Sequence, residues 1–95
     1  MIIMKVYYKT FARFVEFFGK EGDIELPEGS SVLETLNFLC SSDEKKRSLL
    51  FDENGMIRRY VIILKDNERL DNETISSTSL QEGDAITIYP PVSGG

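Results

Sequence analysis

The sequence predicts an α+β fold, a mixed sheet of four to five strands with one main helix packed on one face. Two observations carry that prediction. Short β-type segments stand at both ends and in the middle of the chain, and a single well-capped helical stripe lies among them. At 95 residues the chain is one domain. By size scaling such a chain buries about two-thirds of its unfolded surface, enough for one modest core.

The first strand is read over Ile2 to Thr10. Side chains alternate across a strand, so Met4, Val6 and Tyr8 face the core and Lys5, Tyr7 and Lys9 face out. Phe11, Phe14, Val15 and Phe18 fall at helical spacing and predict a short turn of helix stopped by Gly19. These rings fill the core, or some of them form an aromatic patch that faces a partner. Asp23 to Leu26 is a second strand, a hairpin mate for the first, ended by Pro27-Glu28-Gly29. Ser31-Val32-Leu33-Glu34 has the pattern of a capping box, in which the Ser hydroxyl and the Glu carboxylate each satisfy an orphan N–H. Val32, Leu33, Leu36, Leu39 and Cys40 then form one helical stripe, with Phe38 on the opposite side and Phe51 as its expected partner.

Asp43 to Leu50 predicts a further helical turn whose Glu44-Lys45-Lys46-Arg47 run is a solvated face. Asp52-Glu53-Asn54-Gly55 is a turn; a calcium loop there lacks its later acidic ligand, because Ile63 stands at that place. Tyr60 to Leu64 is apolar on both faces, which marks a central strand or one covered by a partner. Asp66-Asn67 turns the chain into Glu68-Arg69-Leu70. Ala85 to Tyr89 is the last strand, with Ile86 and Ile88 inward and Thr87 and Tyr89 outward. The first and last strands are expected to be parallel neighbours at the centre of the sheet.

Composition narrows the function. A net charge of -5 disfavours nucleic acid, whose phosphates reward basic patches, and suits partners with basic surfaces. The absence of histidine removes His-based triads and most zinc sites. The single Cys40 cannot form an intramolecular disulfide and reads as a small buried hydrophobe. No apolar run is long enough to span a bilayer, and the Met1–Met4 stretch lacks the form of a signal peptide, so a cytoplasmic location is expected.

The remaining candidate for chemistry is the C-terminal segment, residues 90–95, beyond a domain of residues 1–89. Pro90 and Pro91 remove two backbone donors and set an extended exit from the last strand. Val92 is a small apolar anchor and Ser93 adds a hydroxyl. Gly94 and Gly95, without Cβ atoms, can thread a narrow channel and present a carboxylate. That carboxylate is a poor electrophile until an ATP-dependent enzyme converts it to an acyl-adenylate. The chain has no phosphate-binding loop with which to do so itself.

Several segments together resemble the small subunit of molybdopterin synthase, of the MoaD type, among the ubiquitin-like sulfur carriers. They are Met4-Lys5-Val6-Tyr7-Tyr8, the aromatic stretch through Gly19, Ser31 to Leu36, Leu80-x-Glu82-Gly83-Asp84-x-Ile86 and the ending Pro90-Pro91-Val92-Ser93-Gly94-Gly95. The resemblance covers nearly the whole chain, and the ending is its most specific part. It implies a β-grasp fold. It implies that Gly95 is adenylated by a ubiquitin-activating-like adenylyltransferase and then carries sulfur as a thiocarboxylate. The large subunit of the synthase would accept residues 90–95 and supply the catalytic groups, so this chain would be a non-catalytic subunit with no resident cofactor or metal. ATP would be used by the activating enzyme. Two other fates are open to the same activated group, conjugation to lysines as a protein modifier and sulfur donation for tRNA thiolation. A β-grasp interaction module with idle glycines is a further reading. On the sheet's outer face Tyr7, Val61, Ile63 and Tyr89 are expected to form the partner patch, unless they are simple sheet-surface packing.

Overall fold

In a computed structural model, residues 2–41, 43–59 and 61–90 are described. The chain runs β1 (Ile3–Thr10), α1 (Phe14–Phe18), β2 (Glu21–Pro27), α2 (Val32–Cys40), α3 (Glu44–Leu50), β3 (Ile62–Lys65), β4 (Glu68–Leu70), α4 (Asn72–Ser77) and β5 (Ala85–Tyr89). The strands form one sheet in the order β2-β1-β5-β3-β4, with β1 and β5 parallel at its centre and the other pairs antiparallel. This mixed five-stranded sheet with helices against it is the β-grasp arrangement.

The alternation in β1 holds. Met4 and Val6 are buried, Tyr8 is half-buried, and Lys5, Tyr7 and Lys9 are exposed. β2 is longer than the expected Asp23–Leu26 and includes Pro27, which an edge strand tolerates because no further partner needs its missing N–H. Helix α2 starts as its sequence prescribes: the Glu34 N–H donates to the Ser31 hydroxyl at 3.1 Å and the Ser31 N–H donates to the Glu34 carboxylate at 3.0 Å. Val32, Leu36 and Cys40 along its inner stripe join Met4, Val6, Ile63, Ile86 and Ile88 in one core.

Some aromatic expectations divide. Phe14 and Phe18 are buried and meet edge to face, with centroids 5.9 Å apart. Phe11 lies before the helix and stays partly exposed. Phe38 is 53 % exposed, while Phe51 is buried, so the expected Phe38–Phe51 pairing gives way. Phe51 instead lies under the Arg47 guanidinium, 5.7 Å from the ring centre. The basic run of α3 is therefore only partly a solvated face: Lys46 also stands 5.9 Å from the Phe18 ring. Long basic side chains cover apolar surface with their stems while their charge stays wet.

Helix α4 was not legible beforehand. Asp71 caps it by accepting from the Glu73 and Thr74 N–H groups, and Thr74 returns the contact to the Asp71 N–H at 2.7 Å. The loop before β5 is tied to β1 across the sheet. Glu82 accepts from the Lys5 N–H at 3.0 Å, and the Gly83 N–H donates to the Lys5 carbonyl at 2.8 Å. Asp84 accepts from the Gln81 N–H at 2.8 Å, closing the turn. Glu82-Gly83-Asp84 is thus a device that seats the last strand beside the first.

Candidate functional site

The segment with chemical promise begins where β5 ends, so its starting point is set by β5. Ile86 and Ile88 are buried, and their burial fixes the strand's register against β1 and β3. Thr87 and Tyr89 then point to the outer face. The Tyr89 ring stacks on Phe11 at 4.6 Å, nearly parallel at 6°. Pro90 is buried, so the domain keeps hold of the first residue of the segment read as a tail. Pro91, Val92, Ser93, Gly94 and Gly95 lie outside the described residues.

The outer face differs in part from expectation. Tyr7 is 44 % exposed and Tyr89 half-buried, as an outer-face position requires. Val61 and Ile63 are not there. They are 3 % and 0 % exposed and belong to the core. The reason is register: Ile63 pairs directly with Ile88, and directly opposed residues share a face. An apolar run on both faces carries no parity signal, so sequence alone could not tell Ile63 from its neighbours. Ile62 opposite Tyr89 and Leu64 opposite Thr87 occupy the outer face instead, both half-buried. The row Phe11, Tyr89, Ile62 with Leu64 beside it forms an apolar strip at the end of the sheet from which the chain leaves β5.

Other reactive groups are quiet. Cys40 is fully buried, and burial pushes its thiol up to about 11, with Arg47 and Lys46 opposing the shift. At neutral pH it is a protonated, packed side chain and not a nucleophile. Lys65 is held between Asp66 at 2.9 Å and Asp84 at 3.8 Å, and its contact with Asp66 is the main reason its pKa is raised. It clamps the β3–β4 hairpin to the loop before β5. Among the described residues no helix is long and apolar enough to cross a membrane.

Known proteins match this geometry. The ThiS family model matches residues 8–95. A small archaeal modifier protein 3 from Haloferax volcanii is 27% identical over 93 residues, which is 97% of this chain and 100% of that protein. The crystal structure of small archaeal modifier protein 1 from Haloferax volcanii superposes with a TM-score of 0.82 at 23% identity, over 96% of this chain and 99% of that one, and so supports the fold. A Pyrococcus furiosus protein assigned as molybdopterin converting factor, subunit 1, is 31% identical with a TM-score of 0.71, over 94% of this chain and 99% of that one. With the sheet order, the capped helix and a family match that runs through Gly94 and Gly95, this chain belongs to the ThiS family of ubiquitin-like carrier and modifier proteins.

Proposed function

We propose that this protein is a sulfur carrier whose working group is the carboxylate of Gly95. The observation that carries the reading is the family match reaching through that glycine on a domain whose last strand is pinned on both sides. In this reading a Gly95 carboxylate oxygen attacks the α-phosphorus of ATP on a separate adenylyltransferase and pyrophosphate leaves. Hydrosulfide then attacks the acyl carbon and displaces AMP, and loss of the S–H proton leaves a thiocarboxylate. The ionised carboxylate of a free C-terminus is the competent form for the first step, since its ordinary pKa is about 3.3–3.7. The domain supplies grip and aim, and the partner enzymes supply the catalysis.

The sulfur is donated for molybdopterin synthesis, with this chain as the small subunit of the synthase. The similarity to the Pyrococcus furiosus protein supports that destination. Residues 90–95 enter the large subunit, and the apolar strip of Phe11, Ile62, Leu64 and Tyr89, with Tyr7 farther along the face, seats against a partner. The similarity to a small archaeal modifier protein favours a second fate, in which a lysine amine attacks the same acyl carbon and forms an isopeptide bond.

Incubation with the adenylyltransferase of the same genome, ATP and a sulfur source should raise the intact mass by the difference between sulfur and oxygen. Deleting Gly95 should abolish that change and leave the melting temperature unaltered. An unchanged wild-type mass would sink the carrier reading. For conjugation, trypsin cuts last after Arg69, so a modified lysine would carry residues 70–95 as its remnant.

A further inference from the structure

The chain has five arginines, and three of them, Arg58, Arg59 and Arg69, line one groove of about 200 Å³. That concentration stands out on a protein whose net charge is -5. The floor is apolar, formed by Ile57, 8 % exposed, and half-buried Leu70. The rim is basic. Arg59 and Arg69 are exposed and come together where the Arg69 guanidinium approaches the Arg59 carbonyl at 3.5 Å. Arg58 is half-buried and held by its Nε–H to the Ser48 carbonyl at 2.7 Å.

The groove's own carboxylate, Asp71, forms no ion pair with this rim. Asp71 is turned to its helix, accepting from the Glu73 and Thr74 N–H groups and from the Thr74 hydroxyl at 3.0 Å. Both ion pairs formed among the described residues belong to Lys65 and neither involves these arginines.

The position of the groove selects its partner. Ile62 pairs with Tyr89 in an antiparallel ladder, and extending that register by one residue sets Pro90 beside Val61, which also lines the groove. Gly95 lies five residues beyond Pro90, a reach of at most about 18 Å when fully extended. Any protein that holds the Gly95 carboxylate in its active site must therefore press against this end of the domain.

We propose that the groove is a docking site for an acidic segment, carrying one apolar side chain, of the enzyme that activates Gly95. This assignment rests on the adenylation reading above and adds to it the surface by which the enzyme recognises the domain. Arginine forks bind carboxylates in a paired geometry, and the Ile57–Leu70 floor takes the apolar residue.

Two measurements test it. In the first, the full chain is titrated with a synthetic Glu-Asp-Leu-Glu-Asp peptide and followed by amide NMR. Shifts that fade with salt should concentrate at Ile57–Arg59 and Arg69–Asn72 and vanish in R59E/R69E. Shifts scattered over the lysines, or none, would overturn the groove. In the second, ATP–pyrophosphate exchange by the activating enzyme is measured with wild type, R59E/R69E and R59Q/R69Q. The charge-reversed protein should show KM raised by roughly tenfold or more with kcat nearly unchanged, and the neutral variant a smaller rise. The neutral variant guards against a fold lost to the new carboxylates. An unchanged KM in a folded charge-reversed protein would overturn the assignment. Peptide binding at the groove without any wild-type exchange would instead keep an acid-binding groove and discard the adenylation reading.

Discussion

At the scale of single residues, Gly22 matters more than its place in the sequence implied. It sits directly opposite Tyr8 in the β1–β2 ladder, on the inner side. A Cβ built there would lie 2.7 Å from the Tyr8 hydroxyl oxygen and 2.9 Å from the ring. The ring cannot swing away cheaply, because its hydroxyl donates to the Phe18 carbonyl at 2.9 Å and closes the aromatic turn over the sheet. Gly22→Ala should therefore cost about 1–3 kcal/mol, the range for forcing an extra methyl into a packed site. Urea denaturation would measure it, and Tyr8→Leu in the same chain should recover part of the loss. An equal loss with and without Tyr8 would mean that the ring is not the obstacle. Nothing local in the sequence marks Gly22, since a close cross-strand approach has no local signature. Gly19 was legible, by contrast: a helix-ending glycine is a local pattern, and its φ of 85° is a backbone angle that glycine adopts at no steric cost.

At the scale of elements, legibility follows how local the cause is. The Ser31–Glu34 box could be read directly, because both partners lie within one helical turn. Ser31→Ala should destabilise the domain by about 1 kcal/mol, as loss of an N-cap hydroxyl does. Thermal melting would register it, and Ser31→Asp, which restores an acceptor, should recover most of it. A wild-type melting curve for Ser31→Ala would show that the cap contributes nothing. The Asp71–Thr74 cap has the same geometry but is not legible in the sequence, because Thr74 replaces the usual Glu or Gln and because α4, Asn72–Ser77, buries only Ile75. A six-residue helix with one buried side chain leaves no periodic trace in the sequence. The Asp66-Asn67 turn shows the opposite case. Both residues have positive φ, 53° and 68°, which Asp and Asn tolerate better than most, and the two-residue hairpin could be read from their identity.

At the scale of the whole molecule, the first and last strands are parallel central neighbours as expected: Val6, Ile86 and Ile88 share one core, and the two strands are joined through the whole fold. The faces of β3 were assigned the wrong way round, with Val61 and Ile63 outward, because the choice rests on which residue stands opposite Ile88, a long-range fact. Ile63→Glu should now unfold the domain outright, since it places a charge at a site with no exposed surface, a cost of several kcal/mol. Leu64→Glu, one residue along on the outer face, should leave the circular dichroism spectrum intact and weaken partner binding. Folded Ile63→Glu protein would return that residue to the surface. The proposed chemistry of the candidate site rests on the sequence, and its setting could not be read there. The Pro-Pro-Val-Ser-Gly-Gly ending is contiguous in sequence, whereas the Phe11–Tyr89 stack and the arginine groove bring together residues far apart in the chain.

The placement of β5 between β1 and β3 also decides how the domain responds to force. A pull on the chain where it leaves Tyr89 acts along the axis of β5. Four residue pairs on each side resist that pull together, in shear, and do not open one after another like a zipper. Tension applied to the chain beyond Tyr89 is therefore spread over the middle of the sheet.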